Sequence, residues 1–89
     1  MKSLAPSTDV VLSEMQDGTA VLLHLRTKFY FTLNATGLFC WKQLEQGVEG
    51  DRLPSLLAAR FQVDEATARR DVSALLQQLT DEELLVSRS

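Results

Sequence analysis

Residues 28–41 read K-F-Y-F-T-L-N-A-T-G-L-F-C-W. The first half, residues 28–33, crowds aromatic and β-branched residues into one short run, the composition of a strand. From Asn34 onward the apolar residues Ala35, Leu38, Phe39 and Trp41 fall on no alternating pattern. The strand therefore turns directly into a helix. Asn34 is a good N-cap, and Leu33 before it stands at hydrophobic-staple spacing from Leu38.

Upstream, residues 9–15 read D-V-V-L-S-E-M and residues 19–25 read T-A-V-L-L-H-L, separated by the turn signal Gln16-Asp17-Gly18. Arg26-Thr27 then leaves a gap of two residues before the run at 28–33, which fits a tight second hairpin. The three runs predict an antiparallel meander. Phe29, Phe31 and Leu33 share one face of the third strand, and Tyr30 and Thr32 the other; on the second strand Val21, Leu23 and Leu25 oppose Leu22 and His24. Three strands with one apolar face need a covering layer.

Downstream, the first helix is expected to run to about Gln46, with Gly47 as its stop. Gly50-Asp51 opens a second helix, with Pro54 in its first turn and Leu53, Leu56, Leu57 and Phe61 as its stripe. After the link Val63-Asp64, Asp64 caps a third helix with the stripe Ala68, Val72, Leu75, Leu76 and Leu79. Thr80-Asp81-Glu82-Glu83 has capping-box spacing, predicting a last short turn that carries Leu84, Leu85 and Val86 back to the core. The fold class expected is α+β, three antiparallel strands followed by three helices, winged helix-turn-helix-like. Residues 1–8 are read as a flexible lead-in and 9–89 as a single domain.

Eighty-nine residues, 45% hydrophobic and 24% charged, suit one small globular domain. The net charge of −3 weighs against a nucleic-acid partner. The start, with Met1 and Lys2, has no apolar segment of a signal peptide, and no window approaches a membrane span, so a cytoplasmic protein without a membrane partner is expected. One cysteine, Cys40, and one histidine, His24, exclude an internal disulfide and a zinc site built from Cys and His. No cofactor is expected.

Helices two and three have the outline of a helix-turn-helix, with Arg60, Arg69 and Arg70 as the contacts a small winged-helix DNA-binding regulator would use. Asp64, Glu65 and Asp71 sit on the same element, and its first turn is acidic, so a solvated face is the simpler reading. An enzyme needs convergent polar groups. His24, read as a partly exposed strand residue, and Cys40, read as buried, have no evident partners. Trp41, Phe39 and Leu44 at helical spacing read as core. The run at 28–33 is more informative, because in a chain-order sheet it forms an edge with unpaired N–H and C=O groups. Such an edge is closed by the protein's own third helix, by a dimer mate in a monomer–weak homodimer equilibrium, or by an added peptide strand. The residues alone leave these open.

The chain resembles the PqqD-like family of RiPP recognition elements, which serve the biosynthesis of ribosomally synthesised, post-translationally modified peptides. The resemblance runs through L-L-H-L-R-T-K-F-Y-F-T-L-N-A-T-G-L-F-C-W at 22–41, the Gly47 stop, L-A-A-R-F-Q-V-D at 57–64 and D-V-S-A-L-L-Q-Q-L at 71–79. It covers about residues 10–86. It implies a non-catalytic adaptor that binds the leader of a precursor peptide as an added strand on the third strand, in a groove walled by the third helix. Carried to this sequence, the peptide-binding residues are Lys28, Phe29, Tyr30, Phe31, Thr32 and Leu33 on the edge. Arg69, Val72, Ser73 and Leu76 form the wall, and Asp71 is a further peptide-binding residue that, with Arg69, Arg70 and Lys28, would fix register by charge pairing. Arg26-Thr27 stands where domains for pyrroloquinoline quinone synthesis tend to have Pro-Glu, and is more similar to the discrete domains of lasso-peptide clusters. The partners implied are the leader, a leader peptidase and a modifying enzyme.

Overall fold

The computed structural model describes residues 3–88; Met1, Lys2 and Ser89 lie outside the described residues. Strands β1 (Ser3–Pro6), β2 (Val10–Glu14), β3 (Ala20–His24) and β4 (Tyr30–Leu33) precede helices α1 (Ala35–Glu45), α2 (Leu53–Phe61) and α3 (Glu65–Asp81), and β5 (Leu85–Arg88) ends the chain. A 3-10 turn, Gly50–Arg52, leads into α2. The sheet β2-β3-β4 is antiparallel and in chain order, as the meander predicts. It is joined by a second, two-stranded sheet, so the architecture is three strands plus two with three helices.

The second sheet takes up residues 3–6 of the segment expected to be a flexible lead-in. Within the described part, β1 pairs antiparallel with β5, Leu4 opposite Ser87 and Pro6 opposite Leu85, and Leu4 packs on the core. Pro6 argues against a strand only where a ladder needs its N–H, and a two-stranded ribbon consists entirely of edges. The strand closes with Ser7 N–H donating to the Leu84 carbonyl at 2.9 Å.

Register decides which face of the meander is buried. Leu22 lies opposite Phe31 and Ala20 opposite Leu33, so Ala20, Leu22 and His24 face the helices while Val21 and Leu23 are half-buried on the outer side. His24 is thus fully buried, not partly exposed. Its Nδ1 accepts from the amides of Arg26 at 3.2 Å and Thr27 at 3.3 Å, which makes Nε2 the protonated nitrogen. These bonds open the second hairpin beyond the two-residue turn expected: Lys28 and Phe29 stay outside β4, with Lys28 left-handed at φ 66°. Lys28 N–H donates to the His24 carbonyl at 2.7 Å and the hairpin closes through His24 N–H to the Phe29 carbonyl at 2.9 Å.

The helical layer follows its caps. Asn34 Oδ1 accepts from Gly37 N at 2.9 Å and Asp64 Oδ2 from Thr67 N at 3.1 Å. Gly47, at φ 90°, stops α1 with its N–H donating to the Leu44 carbonyl and Val48 N–H to that of Gln43; this pair of bonds is a Schellman motif. Trp41 and Leu44 are buried with Leu53, Leu57, Ala68, Val72 and Leu79. Phe39 packs edge-on against Phe61, ring centroids 5.7 Å apart.

The end of α3 differs from the capping-box expectation. Instead of a new turn there is a second Schellman motif, Leu84 N–H to the Leu79 carbonyl at 2.8 Å and Glu83 N–H to that of Thr80 at 3.0 Å. Leu84 and Leu85 return to the core as expected, but Val86 stays exposed. Glu83 occupies the left-handed position at φ 61°, where a non-glycine residue costs roughly 1–2 kcal/mol. Its carboxylate meets Arg26 Nη2 at 3.0 Å, an exposed, solvent-screened pair that adds little. The backbone cost is the larger of the two. Glu83→Gly should therefore raise stability by up to about 1 kcal/mol, whereas Glu83→Ala, which keeps the strain and loses the pair, should lower it slightly. Thermal unfolding of both variants measures the difference, and an equal loss in both would show that the ion pair dominates.

Candidate functional site

β4 is an edge of its sheet, and its hydrogen-bonding pattern is fixed by the hairpin. The His24 to Phe29 bond marks one hydrogen-bonded pair, and antiparallel pairs alternate. The pairs Leu22–Phe31 and Ala20–Leu33 are therefore the bonded ones, and the N–H and C=O of Tyr30 and Thr32 turn outward. The Tyr30 side chain is 67% exposed. Phe31 and Leu33 point the other way, into the space between β4 and the helices.

That space is a groove. A cavity of about 310 Å³ runs along β4, floored by Phe31 and Leu33 and walled by Leu75 and Gln78 of α3. A second cavity of about 180 Å³ lies where Thr36 and Cys40 of α1 face Asp71 and Leu75 of α3. Both are lined by Asn34, Gly37, Leu75 and Gln78, so they form one channel past the junction of β4 and α1. The junction brings the elements close: a Cβ on Gly37 would come within 3.1 Å of Leu33 Cδ2 and 3.2 Å of Asn34 Oδ1.

The structure divides the α3 residues singled out above. Asp71 and Val72 line the channel. Arg69, Ser73 and Leu76 line another cavity, of about 370 Å³, against Leu4, Asp51 and Pro54, with Val72 shared between the two. Those three side chains are thus on the flank of α3 that does not meet β4. The flank that does carries Asp71, Leu75 and Gln78, spaced i, i+4, i+7, and a second set with the same spacing, Arg69, Ser73 and Leu76, could be told apart only by the way α3 crosses the sheet. Leu75 and Gln78 are the residues missed, together with Asn34, Thr36 and Gly37 on the α1 side.

Charge is sparse in the channel. Asp71 enters none of the ion pairs among the described residues, while Arg69 reaches Glu65 of its own helix at 3.8 Å. Arg60 lies 5.0 Å from the ring centroid of Phe61. Asp64, at the first turn of α3, is held below the usual carboxylate range by hydrogen bonds from Thr67. No three of His, Cys, Asp and Glu gather into a metal-binding group among the described residues, and among them no helix is long and apolar enough to cross a membrane.

Residues 19–85 match the family described as coenzyme PQQ synthesis protein D, PqqD. The chain belongs to the PqqD family. Among solved structures it is similar to TbiB1 in complex with the TbiA(beta) leader peptide, with 35% sequence identity and a TM-score of 0.84, over 96% of this chain and 98% of that one. It also shares its fold with a lasso peptide synthetase B1 complexed with the leader peptide, at 23% identity and a TM-score of 0.81, over 94% of this chain and 98% of that one. No curated protein sequence matches the chain. The resemblance read from residues 22–41, 57–64 and 71–79 thus names the right family.

Cys40, on the channel wall, is buried, and burial pushes its thiol up to about 11. Its thiolate fraction at pH 8 is then about one in a thousand. Ellman's reagent at pH 8 should leave the native protein unlabelled and titrate one thiol after denaturation. Rapid native labelling would show that the channel opens to solvent at Cys40. Because the folded state holds this proton more tightly than the unfolded one, the thiol adds stability that is intact below pH 9 and lost as pH rises toward 11.

Proposed function

We propose that this PqqD-family protein is a leader-peptide-binding adaptor in the biosynthesis of a ribosomally synthesised, post-translationally modified peptide of the lasso class. The observation that carries this reading is its 35% identity, over nearly the whole length of both chains, to TbiB1, which is solved with a leader peptide. The free β4 edge beside an apolar channel supplies the chemistry.

A leader segment adds as a further strand beside β4, exchanging backbone hydrogen bonds with Tyr30 and Thr32. Alternate side chains of that strand enter the channel over Phe31, Leu33 and Leu75. The others lie on the outer face beside Tyr30. Backbone bonding is indifferent to side-chain identity, so selection comes from what enters the channel. The adaptor has no chemical step of its own in this reading. It holds the precursor near a leader peptidase or a modifying enzyme and raises the effective concentration of the one for the other. The helix-turn-helix outline of α2 and α3 serves as scaffold, since the capped acidic start of α3, Asp64 and Glu65, presents the wrong sign to DNA phosphates.

The test is an amide NMR titration with the synthetic leader of the precursor encoded beside this gene. Shifts should concentrate at residues 30–34, the first turn of α1 and residues 71–78; their absence at high peptide excess would sink the reading. Thr32→Pro removes an N–H that faces outward, so the protein should still fold but lose the peptide. Leu75→Ala should weaken binding roughly tenfold, about 1.4 kcal/mol, while Leu76→Ala, on the far flank of α3, leaves affinity unchanged. If Leu76 and not Leu75 governs affinity, the peptide occupies the other flank.

A further inference from the structure

Of the residues that line the channel, Asp71 alone is ionised. The others that bear on a bound chain are apolar, as Phe31, Leu33, Leu57 and Leu75 are, or neutral hydrogen-bonding groups such as Asn34 and Gln78. Neighbouring cations are directed elsewhere: Arg69 toward Glu65, and Arg70 close enough to Asp64 to help lower its pKa. Asp71 therefore offers an uncompensated negative charge at one end of an otherwise neutral channel.

Its position along the channel is also defined. Phe31 and Thr32 line only the part beside β4, and Asp71, Thr36 and Cys40 only the part beyond the junction with α1. A strand paired with Tyr30 and Thr32 meets Asp71 just after it passes the Leu33 end of β4. The one opposing field is the N-terminus of α1, equivalent to about half a positive charge. Its Gly37 amide already donates to Asn34 Oδ1. A full carboxylate charge outweighs it.

We propose that Asp71 is a specificity-determining residue that selects a lysine or arginine side chain in the bound peptide, placed beyond the segment that pairs with β4. This rests on the reading of the channel as a leader-peptide site and adds to it a required charge at a defined end. The cation fixes register and direction, because a strand shifted by two residues or reversed would leave Asp71 unpaired beneath it. An acidic residue at that place is excluded by like-charge repulsion.

The effect expected from Asp71→Asn is a roughly two- to fivefold loss of affinity, the scale of a partly exposed pair. Asp71→Lys replaces attraction by repulsion and should cost roughly tenfold or more. Asp71 is exposed on α3 and lysine is the better helix former, so this variant folds.

The experiment is a selection from an mRNA-displayed library of random 16-residue peptides against the full chain, Asp71→Lys and the channel-blocked Leu75→Glu. The wild type should enrich Lys or Arg at one fixed position relative to the apolar positions, and Asp71→Lys should enrich Asp or Glu there. Selected peptides should bind more weakly at higher salt, and Leu75→Glu should capture neither set. If wild type and Asp71→Lys enrich the same charge at every position, Asp71 is not read and the inference falls while the channel reading stands. If Leu75→Glu captures the same peptides, or if no peptide is enriched by the wild type, the channel reading falls and this inference with it.

Discussion

One side chain sets the geometry on which the channel depends. Asn34 Oδ1 accepts from Gly37 N and from Thr36 Oγ1, both at 2.9 Å, and Leu33 immediately before it is fully buried. The chain is thereby pinned on both sides of a single residue, by a cap on the helical side and by apolar burial on the strand side. A Cβ on Gly37 would crowd Leu33 Cδ2 at 3.1 Å, so the first turn of α1 sits close against the end of β4. A longer or looser link would let α1 fold back across the open side of β4. The short one carries the chain away at once, and the outward N–H and C=O groups of Tyr30 and Thr32 stay uncovered.

From that junction the rest of the helical layer is placed by burial. Trp41 and Leu44 of α1 pack with Leu53 and Leu57 of α2, and these with Val72 and Leu79 of α3, so α3 stands at a set distance from β4. The two sheets divide the work. The ribbon of β1 and β5 brings the first and last strands together and covers the core through Leu4 and Leu85, whereas the meander leaves β4 as an open edge. Edges of this kind are usually guarded by charge. Here Lys28 lies outside β4, on the hairpin, and leaves the edge itself unguarded.

The order of the meander and helices, both helix caps and most of the core could be read from residue patterns, because each rests on contacts local in the chain: Asn34 with Gly37, Asp64 with Thr67, Gly47 with Leu44. What escaped depends on distant partners or on local bonds that carry no residue-type signal. Residues 3–6 read as part of a flexible lead-in until Leu85, far along the chain, is opposite Pro6. His24 reads as a partly exposed strand residue until its Nδ1 is seen holding the Arg26 and Thr27 amides. Glu83 hides a Schellman turn because the glycine that usually marks one is missing. The stripe of α3 identifies Val72 as inward but is silent on its flanks, since Leu75 and Leu76 differ by only about 100° of helix rotation and the crossing of α3 over the sheet chooses between them.

The open edge alone would bind weakly. Tyr30 and Thr32 present one N–H and one C=O each, and a backbone hydrogen bond is worth about 1 kcal/mol net, while ordering each residue of a flexible peptide costs about 1–2 kcal/mol. Pairing therefore roughly offsets the ordering and leaves little surplus. The surplus has to come from apolar side chains: burying one aromatic side chain of the peptide, roughly 150 Å², at ~25 cal/mol/Å² yields about 4 kcal/mol. In the proposed reading, affinity then depends on Phe31 and Leu75 remaining accessible in the free protein, where their partial burial is a standing loss of stability to a domain of this size. The fold tolerates that loss because the Asp64 cap, the two Schellman turns and the β1–β5 ribbon stabilise the framework at places outside the channel lining. In the proposed reading recognition uses one strand edge and one helix flank, and it shares with the framework only the β4–α1 junction at Leu33, Asn34 and Gly37.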